Sequence, residues 1–349
     1  MALPAGTKYY VKLTINQSLL GENNDSFLFC FLLGNVNSDL FWGEITNQNN
    51  LAVVDAISEN LCNKSTLGFV DKGSKEGILY WHGNTHSNAE FYLCVGSQLN
   101  NSDTNVTFSD AGVVQLYPCC DAYGSTTIKG VSSDATIVGS DIFLGSTWFY
   151  RGIIRPSVTN TSYIIDNTAS LPSGDRTIEY IFYLDSILDV SNPIMYTDGQ
   201  MTQWISAYVS PTRGLMSKNT PSQAIYNKSS DSAFNSGSLY HVAETIKTDG
   251  KVTFVIDGSV SGVVDQVGDV LLAGSYIKMW EAKNLIWNRI AGYMEQITFW
   301  NYNLTPGHLM SRNYMFSSNA LFFGNDFTLL SAGKKLVKNR VNMIMSNCM

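Results

Sequence analysis

In residues 251–257, Val252, Phe254 and Ile256 fall on one face, and Thr253, Val255 and Asp257 on the other. That period of two predicts a half-buried strand. Asp257-Gly258 then predicts a hairpin turn, because glycine tolerates the positive φ that such turns need. Ile297 and Phe299 alternate with Thr298 and Trp300 in the same way. Residues 176–184 place Ile178, Tyr180, Phe182 and Leu184 on one side and predict the clearest central strand of the chain. Nearer the start, Tyr9, Val11, Leu13 and Ile15 alternate with Tyr10, Lys12, Thr14 and Asn16, the mark of a one-sided strand. Residues 27–33 are apolar at both parities and predict a central strand covered on both faces. Residues 77–81 and 89–96 supply two more strands, separated by Asn, Ser and Gly clusters at β-sandwich intervals. Thr305-Pro306 reads as an N-cap followed by proline in the first turn, predicting a short helix through about Phe316.

The order Leu239-Tyr240-His241-Val242-Ala243, then residues 250–258, then residues 292–304 resembles the laminin-G-like, concanavalin A-like jelly-roll family. The chain departs from the pattern twice. Glu295-Gln296 stands where the family usually has an acidic pair, and Lys278-Met279-Trp280-Glu281 where a glycine commonly ends the preceding strand. The first third resembles a domain of unknown function that often precedes laminin-G-like modules in bacterial and phage surface proteins. That likeness rests on residues 9–15, on Leu67-Gly68-Phe69-Val70-Asp71 before Ile78-Leu79-Tyr80-Trp81, and on residues 91–96. Together these imply an all-β protein of two tandem β-sandwiches, the second a laminin-G/concanavalin-like jelly roll, with a short C-terminal extension. The expected boundaries are 1–115, 116–316 and 317–349. The last segment ends in the basic cluster Lys334, Lys335, Lys338 and Arg340, and reads as a final strand with a solvated tail or as an assembly arm.

Composition narrows the function classes. Charged residues make up 15% of the 349, against roughly 25% in ordinary soluble domains. Polarity is carried instead by Asn, Ser, Thr and Gly, a mix common in extracellular and virion β-proteins. A net charge of −7 argues against nucleic acid as the main partner, since phosphate binding needs a basic face. The first residues lack a basic and apolar signal pattern, and the longest apolar run, residues 27–33, is far short of the roughly 20 needed to span a bilayer. The expectation is a soluble chain without its own export signal and without membrane insertion. The six cysteines show no zinc spacing; Cys30 and Cys94 read as buried thiols, and a disulfide involving Cys62, Cys119 or Cys120 stays open.

Glycosidases of the concanavalin-like fold need two cooperating carboxylates. Here Glu179 stands alone in its strand and Glu295 has Gln296 beside it, so no enzyme is expected. His82 and His86 sit in a polar loop without a helical frame for a metal, and His241 reads as a core histidine. The resemblance implies calcium as the commonest ion, with Asp185, Asp189 and Asp198 as candidates outside any alignable motif; no other cofactor is expected. Sugar binding would use exposed aromatic faces, and Trp204, Tyr226, Trp280 and Trp287 are the candidate ligand-binding residues. Trp148 and Trp300 read as core. The function expected is that of a non-enzymatic structural or binding protein of a virus particle, such as a phage tail, head fibre or capsid decoration. Its partners would be other virion proteins, copies of itself in a homo-oligomer, and host glycan. The alternative is a bacterial surface carbohydrate-binding or adhesion module.

Overall fold

The computed structural model describes residues 3–86, 89–140, 142–156, 162–168, 174–186, 192–197, 205–209, 215–218, 227–228, 234–265, 277–279 and 291–332. The first unit contains β1 (Tyr9–Thr14), β2 (Phe27–Leu32), β3 (Leu51–Asp55), β4 (Glu76–Gly83) and β5 (Glu90–Val95). β5 lies between β1 and β3 in one antiparallel sheet, while β2 and β4 pair in a second. Between them pack Val11, Leu13, Phe29, Leu93, Phe91 and Trp81, with the Phe29 ring stacked 5.0 Å from that of Trp81.

β6 (Val113–Tyr117) carries the chain across residue 115 into a second pair of sheets. The inner of these is built from β7 (Phe143–Thr147), β8 (Tyr150–Arg155), β9 (Arg176–Ser186), β10 (Ser238–Ile246), β11 (Lys251–Ile256), β12 (Ser259–Asp265) and β13 (Ala291–Trp300). Their order is β7-β8-β13-β9-β10-β11-β12, with β6 paired to β13. The outer sheet also has eight strands; it runs from Thr127–Ile128 through Ala135–Val138, Tyr163–Asp166 and Ile277–Met279 toward Asn227–Lys228. The expected alternation holds. Ile178, Tyr180, Phe182, Val252, Phe254, Ile256, Ile297 and Phe299 all enter the core between these two sheets. Asp257 and Gly258 both take positive φ, 49° and 77°, to close the β11–β12 hairpin. Gly292 is required for another reason: a Cβ there would lie 2.0 Å from the Tyr183 carbonyl oxygen on β9.

The opposite face of the inner sheet does not face solvent. Ile181, Ala243, Val255 and Trp300 join the same core as β2 and β4, and the Tyr80 hydroxyl donates to Gln296 Oε1 at 2.8 Å. The two units are therefore four stacked layers of sheet sharing a buried seam. α1 (Pro306–Ser317), capped by the Thr305 hydroxyl on the His308 N–H, and α2 (Asn319–Phe322) then return over the first unit. β14 (Leu329–Ser331) adds a strand to β1, so residues 317–332 are built into the first unit's sheet and core. Residues 333–349 lie outside the described residues.

β2 departs from expectation in one respect. Its residues 27–31 are buried on both faces, yet among the described residues β2 pairs with a strand on one side only. Its other edge is covered by side chains of α1 and α2. Arg312 donates to the Leu28 carbonyl (2.9 Å), the Cys30 N–H points at Met315 Sδ (3.2 Å), Asn319 donates to the Cys30 carbonyl (2.7 Å), and the Leu32 N–H donates back to Asn319 Oδ1 (3.0 Å). An open strand edge would otherwise leave these buried groups unpaired.

Candidate functional site

Strand register places Glu179 opposite Ala243 and Thr298, on the face turned toward the first unit. Arg312 reaches it from α1 with two hydrogen bonds, Nε to Oε1 at 2.6 Å and Nη2 to Oε2 at 2.8 Å. His241 Nε2 lies 2.7 Å from Oε1, so this is the buried histidine the sequence predicts. The guanidinium is 4.7 Å from the Trp300 ring and 5.0 Å from that of Phe316. Burial opposes ionisation of Glu179, but Arg312 and His241 outweigh it and hold the carboxyl below its ordinary range. With Glu179 only 1% exposed, this cluster works as a clasp between the layers.

Glu295 is closed off as well. The β9–β13 register slips between Ile181 and Phe182, which face Gln296 and Met294, leaving Glu295 as the extra residue of a bulge. Its carboxylate accepts from the Thr147 hydroxyl (2.8 Å), the Trp148 N–H (2.8 Å) and the Phe149 N–H (3.3 Å), pinning the β7–β8 turn. Burial raises its pKa to about 7 in spite of those three donors. A glycosidase pair must face one substrate together. Glu179 and Glu295 are instead held inside the protein by separate structural duties.

An open concavity lies elsewhere along the seam. A cleft of about 780 Å³ is walled by the loop 67–73 of the first unit and by Cys120, Asp121, Ala122, Lys129 and Arg151 of the second. Its volume falls within the usual range for small-ligand sites. Val70–Asp71 pairs with the start of β4 and fixes the loop, while Arg151 enters from β8. The Arg151 guanidinium is sandwiched between Phe69 and Tyr123, 4.6 Å from each ring, and Nη2 donates to Asp71 Oδ2 at 3.1 Å. Tyr123 is 53% exposed and its hydroxyl bonds Ser146 Oγ at 2.9 Å. Asp121 accepts the Lys129 N–H at 2.9 Å, and burial pushes its carboxyl up. Lys129 itself pairs with Asp134, whereas Lys72 donates to the Gly43 carbonyl at 3.0 Å.

Trp204, Tyr226, Trp280 and Trp287 lie outside the described residues, as do Asp189 and Asp198. Asp185 is exposed, and among the described residues no group of three His, Cys, Asp or Glu side chains is placed to hold a metal. His82 ends β4 rather than sitting in a loop, 3.0 Å from Ser26 Oγ, and His86 pairs with Asp25 at 2.5 Å. Cys30 and Cys94 are buried thiols as expected, and Cys62, Cys119 and Cys120 are free too. Trp300 is fully buried, but Trp148 is a correction, being 60% exposed. Thr147 pairs with Tyr150, so Trp148 and Phe149 form a two-residue turn; Phe149 takes the core and Trp148 is left outside. Among the described residues, no helix is long and apolar enough to cross a membrane.

Similar solved structures include domain 4 of AbnA, an extracellular arabinanase of Geobacillus stearothermophilus, in complex with arabinotriose (14% identity, 51% of this chain and 88% of that one, TM-score 0.42). Trypanosoma rangeli sialidase in complex with sialic acid is another (12% identity, 70% and 43%, TM-score 0.43). A third is the botulinum neurotoxin type G receptor-binding domain (11% identity, 58% and 51%, TM-score 0.46). The chain thus spans most of the arabinanase domain and about half or less of the other two. No curated protein matches the sequence. Residues 158–310 match the family model of the Concanavalin A-like lectin/glucanases superfamily, and that segment is a concanavalin A-like, laminin-G-like β-sandwich.

Proposed function

We propose that this chain is a carbohydrate-recognition protein that binds without catalysing, and that sugar occupies the cleft between its two β units. A lectin-like fold supports glycan binding in general. The observation that carries the cleft is Tyr123, an exposed ring stacked on a nearly buried arginine beside a cavity of sugar-ligand size. Sugars pack their apolar faces on such rings while nearby carboxylates and backbone groups take the hydroxyls. The non-catalytic part rests on Glu179 and Glu295, both committed to internal bonds.

The setting we propose is the surface of a virus particle, displayed in repeated copies; a bacterial surface adhesion module is the alternative. The low charge and the Asn-, Ser- and Thr-rich composition support either. Regular copies on purified particles under the electron microscope would favour the first. For binding, a glycan panel with wild type and Tyr123→Ala should show retention that falls about tenfold in the variant, the loss of one stacked ring. Retention unchanged by the substitution would remove the cleft from the account, and release of shortened sugar would overturn the non-catalytic reading.

A further inference from the structure

We propose that the cleft selects a sugar bearing a carboxylate, with Arg151 and Lys72 as the groups that hold it. The inference deepens the glycan-binding reading and rests on it. Arg151 is only 9% exposed, yet among the described residues it makes one hydrogen bond, to Asp71. A guanidinium has five N–H donors, so four lack a protein acceptor, and Nε is buried without a partner. Asp71 meets the guanidinium through one bond, so a second carboxylate in the cleft would give it further acceptors. The two flanking rings, each 4.6 Å away, hold the guanidinium plane fixed, and a planar fork of donors matches a carboxylate better than a point charge does.

The charges around it fit the same ligand. Asp71 is already satisfied by Arg151 and by the Gly73 and Ser74 N–H groups at 2.9 and 3.3 Å. Lys129 pairs with Asp134, whereas among the described residues Lys72 lines the cleft and meets the neutral Gly43 carbonyl but no carboxylate. The cleft lining carries three cations, Lys72, Lys129 and Arg151, against two carboxylates, Asp71 and Asp121. Asp121 lines the cleft and accepts the Lys129 N–H, and the exposed Tyr123 ring, beside the cleft and against Arg151, offers a platform for a sugar ring. An acid group, a hydroxyl and an apolar sugar face therefore each have a counterpart.

The test is calorimetric titration with a panel of uronate- and nonulosonate-containing oligosaccharides, each alongside its methyl ester, which keeps the shape and removes the charge, together with sulfated and neutral oligosaccharides. The full chain, Arg151→Lys and Lys72→Gln are compared, the second being an exposed site whose substitution leaves folding intact. The expected result is binding of at least one free acid tenfold or more tighter than its ester. That preference should shrink in both variants and weaken with added salt. Equal binding of acid and ester overturns the inference while leaving the glycan-binding reading standing. So does a preference for sulfated oligosaccharides over carboxylated ones. Absence of binding by every acid, ester and neutral glycan overturns both.

Discussion

Two arginines cross the seam between the β units, and they are used differently. Arg312 reaches from α1 to Glu179 on one side and to the Leu28 carbonyl on the other, is fully buried, and lies against Trp300 and Phe316. Arg151 also lies against two rings and also meets a carboxylate of the opposite unit, but through one bond and at the edge of a cleft. Both are flanked by aromatic surface. What separates them is hydrogen-bond saturation: Arg312 meets both oxygens of a carboxylate as well as a carbonyl, and Arg151 retains most of its donors. The same residue type closes one end of the seam and, at the other, sits beside an open cleft.

The largest effect should follow from breaking the closed end. Arg312→Met leaves Glu179 charged and buried with only His241 beside it, which should destabilise the protein by about 3–5 kcal/mol in chemical denaturation. Replacing Glu179 and Arg312 together by Leu and Met should recover much of that loss. Next comes Glu295, whose folded pKa of about 7 lies above the ordinary 4.5. The folded state holds its proton more tightly, so this contribution is complete below about pH 4.5 and is lost as pH rises to about 7. The change amounts to roughly 3 kcal/mol. Melting temperature should therefore show a falling component across that window in wild type that is absent in Glu295→Gln. Glu179 carries the opposite sign: its depressed pKa gives stability present above its ordinary pKa and lost on acidification.

Asn319→Ala should cost about 1–3 kcal/mol, since it uncovers the Cys30 carbonyl and the Leu32 N–H on the guarded edge of β2. The smallest change belongs to the open end. Arg151→Lys should alter stability by less than about 1 kcal/mol, because lysine keeps a cation against Asp71, whose own side chain is 41% exposed. A loss there as large as that of Arg312→Met would erase the distinction between the two arginines.

The strands were legible because their chemistry is local. Alternation in β1, β9, β11 and β13, the Asp257-Gly258 turn and the Thr305-Pro306 helix start each depend on neighbours within a few positions. The seam was not, because its members are far apart: Arg312 lies 133 residues from Glu179 and Arg151 lies 80 from Asp71. One signal was available. His308, Leu309, Arg312, Met315 and Phe316 share the buried side of α1, and a charge among apolar residues on such a face calls for a buried counterion. β2 read as central because burial on both faces looks the same whether the neighbour is a strand or a helix. Trp148 read as core because a large aromatic usually is, and only the two-residue length of its turn puts it outside. The cleft has no local signature, since Phe69, Tyr123 and Arg151 come from three separate stretches of chain.

The most direct measurement is backbone hydrogen exchange of the full chain, alone and saturated with the tightest-binding carboxylated oligosaccharide of the panel. The account predicts slower exchange in residues 67–73 and 120–129, with residues 28–32 and 312–319 unchanged because they are closed in both states. Protection confined to the segments carrying Trp204, Tyr226, Trp280 and Trp287, with the cleft unaffected, would contradict it.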